Sequence, residues 1–371
     1  MEKYDFIIVG SGLYGATFNY LARKEGFSTL IVERREHLGG NIFTPVMDDI
    51  PIHKYGAHIF HTNEKYIWDF VCGLCDMVPF INSPIAIYHD EVYNLPFNMN
   101  TFSKLFGVIK PSDVREKINE EINNFNFTNP VNLEEQAISL VGETIYRKLI
   151  KEYTEKQWGK ECKELSPDII KRIPVRYTYD NNYFNDIYQG IPKGGFNSLI
   201  ENLIGDTKVI YTDYLKNKDY FNSIGKYIIY TGPIDEYFDF SEGNLEWRSL
   251  DFVTKKYNVQ NYQGNAVINY TSHDVPYTRS IEHKFFDKFG DGVNKEVTYV
   301  TEEYPIEWKR GAEPLYPVLT KNNLEVLEKY NLLKKKELNV LFCGRLGEYK
   351  YYDMDDTIIN AINCFNNLIK K

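Results

Sequence analysis

The first forty residues alternate between short apolar runs and one amphipathic segment. Phe6-Ile7-Ile8-Val9 is a continuous apolar run, which predicts a buried parallel strand. Residues 16–24 have helical spacing and end before Gly26, and the next apolar run, 29–32, leads into Glu33. The pattern therefore predicts a strand, a turn, a helix and a second strand in direct succession.

Along the rest of the chain, the spacing of apolar residues changes from helical to alternating. Residues 103–171 have helical spacing, with Ser112 expected to cap the first helix. Residues 175–303 alternate and are rich in Tyr, Val, Ile and Thr, which predicts antiparallel strands. Strands near 227–230 and over 339–343 are expected to join the N-terminal strands. The predicted helices are 114–125, 133–141, 143–153 and 355–369, and Pro167 and Pro174 end the helical region.

A glycine-rich turn lies between the first strand and the first helix. In Gly10-Ser11-Gly12-Leu13-Tyr14-Gly15, Gly10 allows the tight turn, Gly12 lets the backbone approach a pyrophosphate, and Gly15 lets the helix pack closely on the strand. N–H groups at the helix start, where Leu13 and Tyr14 lie, are suited to an anion. Glu33 is placed to accept hydrogen bonds from both ribose hydroxyls and to repel a 2′-phosphate. The motif predicts a dinucleotide other than NADP.

The segment after the second strand indicates whether the dinucleotide is NAD or FAD. Arg34-Arg35-Glu36-His37-Leu38-Gly39-Gly40-Asn41 resembles the R-x-x-x-x-G-G motif of the glutathione-reductase-like FAD family. In that family the paired glycines bring the backbone close to the flavin side of the pyrophosphate. The resemblance implies that FAD is the cofactor and that Arg34, Gly40 and Asn41 contact it. Asn19 departs from the extended fingerprint, which usually has Gly or Ala there.

These patterns predict an α/β fold (α+β overall). It consists of a Rossmann-like FAD-binding domain, an inserted helical domain and an antiparallel β-sheet domain for the substrate. Both chain ends are expected to build the cofactor domain. The predicted ranges are 1–80, about 195–240 and 325–371 for the FAD-binding domain, about 100–172 for the helical domain, and about 81–99, 173–194 and 241–324 for the sheet domain.

Composition narrows the possible partners. The chain has 371 residues, 43% hydrophobic and 26% charged, with a net charge of −9, so it is an ordinary globular chain without the basic surface that nucleic acid requires. No apolar run approaches the roughly 18 residues of a membrane span, and the N-terminus does not resemble a signal peptide. Five cysteines, an odd number, are expected to stay reduced. These features predict a cytoplasmic protein without membrane insertion.

Two pairs of residues could bind a metal ion, but each pair could also have a purely structural role. Cys72 and Cys75 have the spacing of redox and zinc sites, but they lie in the apolar helical run 66–77 and no second pair follows, so buried structural cysteines are favoured. His58 and His61 are three residues apart, without an obvious third ligand. They are either hydrogen-bonded core histidines or a pair that lines a flavin, and no metal site is predicted.

Arginine is scarce, at 11 of the 43 basic residues, and several arginines lie near tyrosine. An arginine beside a tyrosine is suited to a diphosphate, because its planar guanidinium group binds phosphate bidentately. For each of these arginines, an ion pair at the surface is the alternative interpretation. The aromatic helix end Tyr153–Trp158 offers rings that stack on a base. A uridine diphosphate fits both features. The arginines concerned are Arg172, Arg248, Arg279 and Arg345.

Longer stretches are far more selective than the glycine motif. They are 54–62 (KYGAHIFHT), 153–159 (YTEKQWG), 169–176 (IIKRIPVR), 264–269 (GNAVIN), 344–346 (GRL) and 348–354 (EYKYYDM). On these stretches the chain resembles the bacterial UDP-galactopyranose mutase family, and the resemblance runs from Tyr4 to beyond Met354.

The resemblance implies an isomerase, a flavoprotein that interconverts UDP-galactopyranose and UDP-galactofuranose with no net redox change. In that family FAD must be reduced, and its N5 attacks the anomeric carbon of the sugar and displaces UDP. The resemblance also implies a cytoplasmic homodimer that serves galactofuranose biosynthesis for cell wall polysaccharide.

Site residues are carried over position by position from the same resemblance. Arg172 and Arg279 match the arginines that bind the diphosphate and assist catalysis. His58 and His61 match the flavin-proximal pair, with His61 assigned to catalysis. Further cofactor contacts implied are Ile59, Arg345, Asp353 and Met354, and further substrate contacts are Asn82, Tyr153, Thr154, Trp158, Tyr183, Arg248, Asn269, Tyr316, Arg345 and Tyr351. The chain has Leu149 and Ile150 where the family commonly has an aromatic residue near the uracil.

Two other functions remain open from the sequence. A flavin oxidase or dehydrogenase of the amine-oxidase-like class would share the cofactor motifs, but it would have an apolar cage and no need of the arginine–tyrosine set. A non-catalytic module that binds UDP-sugar or FAD would form no adduct between reduced flavin and substrate.

Overall fold

The computed structural model describes residues 2–125, 127–170 and 175–370 and divides into two compact units. Unit 1 comprises Met1–Pro79, Asp186–Ser249 and Glu307–Lys371, and unit 2 comprises Phe80–Asn185 and Leu250–Ile306. Unit 1 is therefore assembled from three separate stretches of the chain. The finer division into three domains stays a prediction.

Unit 1 is built on a parallel sheet of five strands. The two apolar runs at the N-terminus pair directly, and Ile7 and Ile8 are fully buried, as expected for a strand covered on both faces. In order across the sheet, the strands are Val209–Tyr211, Thr29–Glu33, Tyr4–Val9, Gly225–Tyr230 and Val340–Phe342. This arrangement confirms the predicted Rossmann-like fold, including the strands expected near 227–230 and 339–343.

The helix after the glycine turn, Leu13–Lys24, packs against two other helices of unit 1, Asn197–Ile204 and Met354–Ile369. The chain is thus folded so that its first and last helices are in contact. The remaining helices of unit 1 are Lys65–Cys72, Lys218–Ile224, Ile234–Tyr237, Lys321–Lys334 and Gly344–Glu348. Two small antiparallel sheets complete it, one of Phe60–Thr62, Tyr188–Pro192 and Met77–Pro79, the other of Val46–Met47 and Ile50–Pro51.

Asn19, the departure from the glycine fingerprint, is fully buried on the first helix. Its amide donates hydrogen bonds to the carbonyls of Leu203 and Ile204, 3.1 and 3.0 Å away, at the end of another helix. Its carbonyl oxygen accepts hydrogen bonds from the hydroxyls of Thr29 and Thr207. All polar atoms of this side chain are therefore satisfied, which makes its burial favourable. Hydrogen bonds between two helices replace the close packing that Gly or Ala would give.

Unit 2 combines a largely antiparallel sheet with a group of helices. The sheet starts with Tyr316–Pro317, which belongs to unit 1, and with Trp247–Tyr257, whose first residues also belong to unit 1. It continues in order through Thr298–Glu307, Arg279–Glu282, Val267–Tyr270, Ile85–Tyr88 and Glu91–Asn94, with Val267–Tyr270 and Ile85–Tyr88 running parallel. The antiparallel strands predicted in the second half of the chain thus pair with a hairpin from residues 85–94.

The helical region predicted from the sequence is present in unit 2. Its apolar faces meet in a core that includes Phe102, Val114, Leu133 and Ile145. The α-helices are Met99–Phe106, Pro111–Asn123, Leu133–Val141, Glu143–Ile145 and Glu152–Trp158, and a π-helical segment, Tyr146–Lys151, precedes the last of them.

Ser112 does not cap its helix, so that prediction is wrong. The helix Pro111–Asn123 starts one residue earlier, with Lys110 in the capping position and Pro111 as its first residue. Proline is favoured at this position because its fixed φ suits the helix and its missing N–H is not needed there. The hydroxyl of Ser112 bonds instead to the carboxylate of Asp113.

The prediction of a buried Cys72–Cys75 pair on one long helix is also wrong. The helix ends at Cys72, and residues 77–79 pair as a strand. Cys72 is exposed and Cys75 is half-buried, because the helix buries Ile67 and Val71 and turns Cys72 toward solvent. All five cysteines lie in the described ranges as thiols.

His283 in unit 2 is fully buried, and its Nε2 lies 2.6 Å from the hydroxyl oxygen of Thr301. Burial lowers the pKa of His283 from 6.5 to about 3, because the interior disfavours the imidazolium. Between these pH values the unfolded chain binds a proton that the folded chain does not, so stability is lost as the pH falls below 6.5. From this residue alone, we expect the free energy of unfolding to be about 2 kcal/mol lower at pH 5 than at pH 7.

Urea unfolding at pH 7 and pH 5 measures this effect. In His283→Gln, the loss of unfolding free energy between pH 7 and pH 5 that we assign to this histidine should disappear. His273→Gln, which changes an exposed histidine, should keep this loss. An unchanged pH dependence in His283→Gln would assign the acid sensitivity to other groups.

Candidate active site

The turn Gly10–Gly15 lies at the carboxyl end of the central strand of unit 1, the edge at which parallel sheets bind ligands. Gly10 has a φ of 99°, and a Cβ there would lie 2.3 Å from the hydroxyl of Thr231. A Cβ on Gly15 would lie 2.1 Å from the carbonyl oxygen of Gly10. Both glycines are therefore required by the protein's own packing. The helix that begins at Leu13 has no side-chain cap, so its first N–H groups are suited to an anion.

Gly12 differs from its neighbours. Its φ of −65° and ψ of 175° suit any residue, and the atom nearest to an added Cβ is the Cα of Gly40, 3.8 Å away. Nothing in the described chain therefore demands glycine at position 12. A group that occupies the space in front of the turn, such as a pyrophosphate, explains why a side chain is missing.

Glu33 and the paired glycines lie against the same turn. The carboxylate of Glu33 accepts hydrogen bonds from the backbone N–H and the hydroxyl of Ser11, at 2.8 and 2.5 Å, and from the N–H of Arg35 at 2.8 Å. These bonds fix its orientation and leave roughly one of its four acceptor positions for a ribose hydroxyl. Gly39 donates a hydrogen bond to the carbonyl of Ser11, and a Cβ on Gly40 would lie 2.9 Å from the Cα of Gly12.

The other flavin contacts predicted near this turn have protein partners of their own. Arg34 pairs with a glutamate, Nη1 to Oε2 at 3.2 Å, and Arg35, which was not predicted, bonds to the side chain of Asn41 at 2.9 Å. The Nδ1 of His58 lies 2.8 Å from a backbone carbonyl, and Ile59 is buried. Their role toward FAD stays a prediction.

His61 is held by Asp186 within unit 1. Its Nδ1 lies 2.5 Å from one carboxylate oxygen of Asp186, and the amide of Asn63 donates a hydrogen bond to the other. Both residues belong to the small sheet of unit 1 or its immediate flank, since His61 pairs in register with Gln189. The carboxylate therefore fixes the orientation of the imidazole ring.

Arg345, Tyr316 and Tyr351 form a group in unit 1, here called the arginine–tyrosine cluster. The two tyrosine rings are stacked with centroids 5.8 Å apart, and the Cζ of Arg345 lies 5.5 Å from each ring centroid. The Nε of Arg345 is buried and has no hydrogen-bond partner in the described residues. Leaving a buried donor unpaired is costly, and an anionic ligand would supply the missing acceptor.

Two predicted residues flank this cluster. The hydroxyl of Tyr351 donates a hydrogen bond to Asp353 at 2.7 Å, and desolvation together with this carboxylate raises the pKa of Tyr351. Asp353 precedes the helix that begins at Met354. Arg248 pairs in register with Tyr316 on the neighbouring strand, and burial lowers its pKa. Four predicted substrate residues of unit 1 are therefore brought together here.

In unit 2, Asn269, Arg279 and Glu303 lie side by side on three adjacent strands. Residues directly opposite one another point to the same face of a sheet. Arg279 donates hydrogen bonds to both carboxylate oxygens of Glu303, from Nε at 2.6 Å and from Nη2 at 3.0 Å. The Glu303 side chain is 2% exposed. A buried carboxylate thus holds the arginine in one orientation.

The predicted base-binding residues Tyr153, Thr154 and Trp158 lie on the last helix of the helical group of unit 2. The π-helical segment that precedes it is of a kind found frequently at functional sites. Thr154 is buried and the two aromatic residues are half-buried. Leu149 and Ile150 belong to the core of unit 2, so the positions that lack the family's aromatic residue are packed rather than open.

Lys156 lies on the same helix and was not predicted. Its ammonium donates hydrogen bonds to the carbonyls of Tyr270, Val275 and Tyr277, at 2.7, 3.2 and 3.0 Å. Burial lowers its pKa to about 8, although two nearby carboxylates oppose the shift. The first of these carbonyls ends the strand that carries Asn269, and the other two lie in the turn that leads to the strand of Arg279. Lys156 thus ties the predicted base-binding helix to that turn.

Asn82 and Tyr183 are joined through the backbone, the N–H of Tyr183 donating to the carbonyl of Asn82 at 2.8 Å. Arg176 holds the same loop, with a hydrogen bond to the carbonyl of Tyr183 at 3.0 Å and a shorter one to that of Asn182. Arg172, with residues 171–174, lies outside the described residues, so its predicted role is not placed in the structure.

Comparison with known proteins decides the family. A sequence profile described as UDP-galactopyranose mutase matches residues 148–351. A probable UDP-galactopyranose mutase of Klebsiella pneumoniae is 36% identical over 371 residues, which covers 98% of this chain and 94% of the relative. The chain belongs to the UDP-galactopyranose mutase family.

Further comparisons agree with the family and add one alternative. Residues 8–74 match a profile described as an NAD(P)-binding Rossmann-like domain. A crystal structure of reduced UDP-galactopyranose mutase matches 99% of this chain and 96% of its own with a TM-score of 0.75 at 13% identity, which shows the same fold. A dTDP-fucopyranose mutase of Escherichia coli is 32% identical, with 98% of each chain covered.

As a member of the UDP-galactopyranose mutase family, the chain is an isomerase with FAD as its cofactor. The residues of unit 1 fit this cofactor. Gly12 leaves the space that a pyrophosphate requires, the helix at Leu13 offers uncapped N–H groups, and Glu33 is fixed beside them. In the described ranges, no three His, Cys, Asp or Glu side chains group to hold a metal ion, and no helix is long and apolar enough to cross a membrane.

Besides Arg35, the structure places Asp186, Glu303 and Lys156 beside predicted site residues, and they were missed in the sequence. Asp186 and Glu303 are distant in sequence from His61 and Arg279, and nothing local distinguishes them from surface acids. Lys156 lies within a quoted stretch, but its three carbonyl partners become apparent only when the turn at 270–277 is placed.

Proposed function

We propose that this chain interconverts UDP-galactopyranose and UDP-galactofuranose with no net redox change. The observation that carries the proposal is the arginine–tyrosine cluster, because a diphosphate supplies the acceptor that the buried Nε of Arg345 lacks in the described chain. Membership of the family supports a sugar nucleotide as the substrate class. The dTDP-fucopyranose mutase relative makes a thymidine diphosphate sugar the second candidate, since it carries the same diphosphate.

Reduced FAD, when bound, supplies the nucleophile that reacts at the anomeric carbon. The residues that would hold it are the glycines of the first turn, Glu33 and Gly40. The protein's own tasks are to hold the diphosphate, to orient the sugar and to exclude water. We assign the diphosphate to Arg345, Tyr316 and Tyr351.

The residues of unit 2 are proposed contacts of the same kind of ligand. Arg279 is suited to phosphate oxygens, because Glu303 fixes its guanidinium and a pre-oriented donor loses less entropy on binding. Asn269 on the neighbouring strand supplies a neutral polar group beside it. Tyr153 and Trp158 are proposed to contact the base, and Asn82 and Tyr183 the diphosphate or sugar.

An anaerobic assay tests the activity. The enzyme is reduced with dithionite and incubated with UDP-galactofuranose or, separately, with dTDP-fucofuranose, and the products are separated by chromatography beside an oxidised control. Conversion of the uridine sugar only in the reduced sample, with no net flavin oxidation, is expected. Preference for the thymidine sugar would overturn the substrate assignment. Stoichiometric oxidation of the flavin would support a flavin oxidase or dehydrogenase instead. If neither sugar nucleotide is converted, the result would support a non-catalytic binding module.

Asp186→Asn tests whether Asp186 positions His61. Removing the carboxylate charge loosens the imidazole, so we expect kcat to fall at least about tenfold with little change in KM. In a His61→Gln background the same change should have no further effect, because its target is gone. Asn63→Ala, which removes another partner of the same carboxylate, is the control. An equal loss from Asp186→Asn with and without His61 would assign Asp186 a structural role instead.

We further infer that the protein is a cytoplasmic homodimer whose product enters cell wall polysaccharide. The family resemblance supports the dimer and the use of the product, and five thiols in an unpaired state are typical of a reducing compartment. Light scattering on the purified holoenzyme measures the oligomeric state, with a mass of two chains expected.

A further inference from the structure

Two thiols of unit 1 lie close together, and one of them precedes Arg345 by two residues. The sulfur atoms of Cys343 and Cys364 are 3.9 Å apart. Cys343 is buried at the end of the strand Val340–Phe342, immediately before Gly344 and Arg345, and Cys364 is partly exposed in the middle of the helix Met354–Ile369. Neither thiol takes part in the proposed reaction.

Tyr14 completes this group. Its ring packs against Gly344, where an added Cβ would lie 3.5 Å from it, and its hydroxyl lies near both thiols. The neighbouring Cys343 thiol and, after it, the Tyr14 hydroxyl lower the pKa of Cys364 below its usual value, against the effect of burial. The charged groups that act on it are Glu348, which raises this pKa, and Lys334, which lowers it.

The other cysteines have the opposite character. Burial raises the pKa of Cys75 to about 12 and that of Cys162 to about 11, and it also raises the pKa of the exposed Cys72. Because the thiolate is the reactive form, exposure alone does not make Cys72 the most reactive thiol. The chain thus contains one activated thiol with a second thiol in direct contact, the arrangement typical of peroxide-sensitive sites.

We propose that Cys343 and Cys364 form a reversible disulfide when the protein reacts with a peroxide. The thiolate sulfur of Cys364 attacks one peroxide oxygen, the O–O bond breaks, and the sulfur becomes a sulfenic acid with release of water after protonation. The sulfur of Cys343 then attacks that sulfur, losing its proton, and a second water leaves as the S–S bond forms. Two thiols lose two electrons in total, and one hydrogen peroxide takes them up.

The second step requires the two sulfurs to come closer together. They must approach from 3.9 Å to about 2.05 Å, a shift of roughly 2 Å. The bond would join the start of the segment that carries Arg345 to the C-terminal helix.

Mass spectrometry of the holoenzyme after hydrogen peroxide treatment tests the proposal. We expect a peptide pair linked through Cys343 and Cys364 that dithiothreitol separates. At pH 7 it should form at least about tenfold faster than Cys72 is oxidised, because a much larger fraction of Cys364 is thiolate. The alkylation rate of Cys364 with iodoacetamide should rise with pH around a lower midpoint than that of Cys72.

Three variants keep the result interpretable. Cys72→Ser should leave the linked peptides unchanged, Cys364→Ser should abolish them, and Cys343→Ala should leave a sulfenic acid on Cys364 that dimedone traps. Oxidation of Cys72 ahead of Cys364 in the unmodified chain, or the absence of linked peptides at peroxide levels that oxidise Cys72, would overturn the proposal. The wild-type measurement alone is decisive if a variant fails to fold.

Discussion

Arg279→Met should lower both turnover and stability, and the two losses should be separable. We expect kcat/KM to fall by about 100- to 1,000-fold, because a pre-oriented guanidinium on the proposed diphosphate is lost. The buried carboxylate of Glu303 is also left without its partner. Uncompensated burial of such a charge costs about 3 kcal/mol of folding free energy. Steady-state kinetics and urea unfolding measure the two effects.

The double variant Arg279→Met/Glu303→Leu separates catalysis from folding. Replacing both partners of a buried ion pair with apolar residues of similar size is often neutral or stabilising. We therefore expect stability to recover while turnover stays low. Recovery of turnover together with stability would show that Arg279 serves the fold and not the substrate.

Gly12→Ala should remove FAD binding without harming the apoprotein. The backbone at this position suits alanine, and an added Cβ meets nothing closer than 3.8 Å in the described chain. Replacing a glycine in a compatible conformation stabilises a protein by up to about 1 kcal/mol. The same methyl group would occupy the space that we assign to the pyrophosphate. We expect FAD affinity to fall roughly 100-fold, a loss of about 2.7 kcal/mol, in a titration followed by flavin fluorescence.

Gly15→Ala is the matched comparison, because its Cβ would lie 2.1 Å from the carbonyl oxygen of Gly10. This variant should lose apoprotein stability as well as FAD binding. If Gly12→Ala binds FAD normally while remaining folded, the pyrophosphate does not lie against this turn.

The cofactor half of the molecule was predictable because its signals are local. A buried strand, a tight turn with glycine at three positions and the start of a helix all follow one another within a few residues, and each has its own physical cause. The strands expected near 227–230 and 339–343 were also correct, since continuous apolar runs are typical of parallel strands covered on both faces. The predicted ends of helices were less accurate. Ser112 does not cap its helix, and the helix predicted over 66–77 ends at Cys72.

The sequence by itself determined the Rossmann-like fold, the dinucleotide motif and the family resemblance, because these rest on contiguous residues. The tertiary structure decided which side chains act together. It placed Glu303 beside Arg279, Asp186 beside His61, and Tyr316 and Tyr351 around Arg345. These partners are separated by 6 to more than 100 residues, and their contacts depend on strand register and on how distant segments meet. Periodicity within one segment carries no information about either.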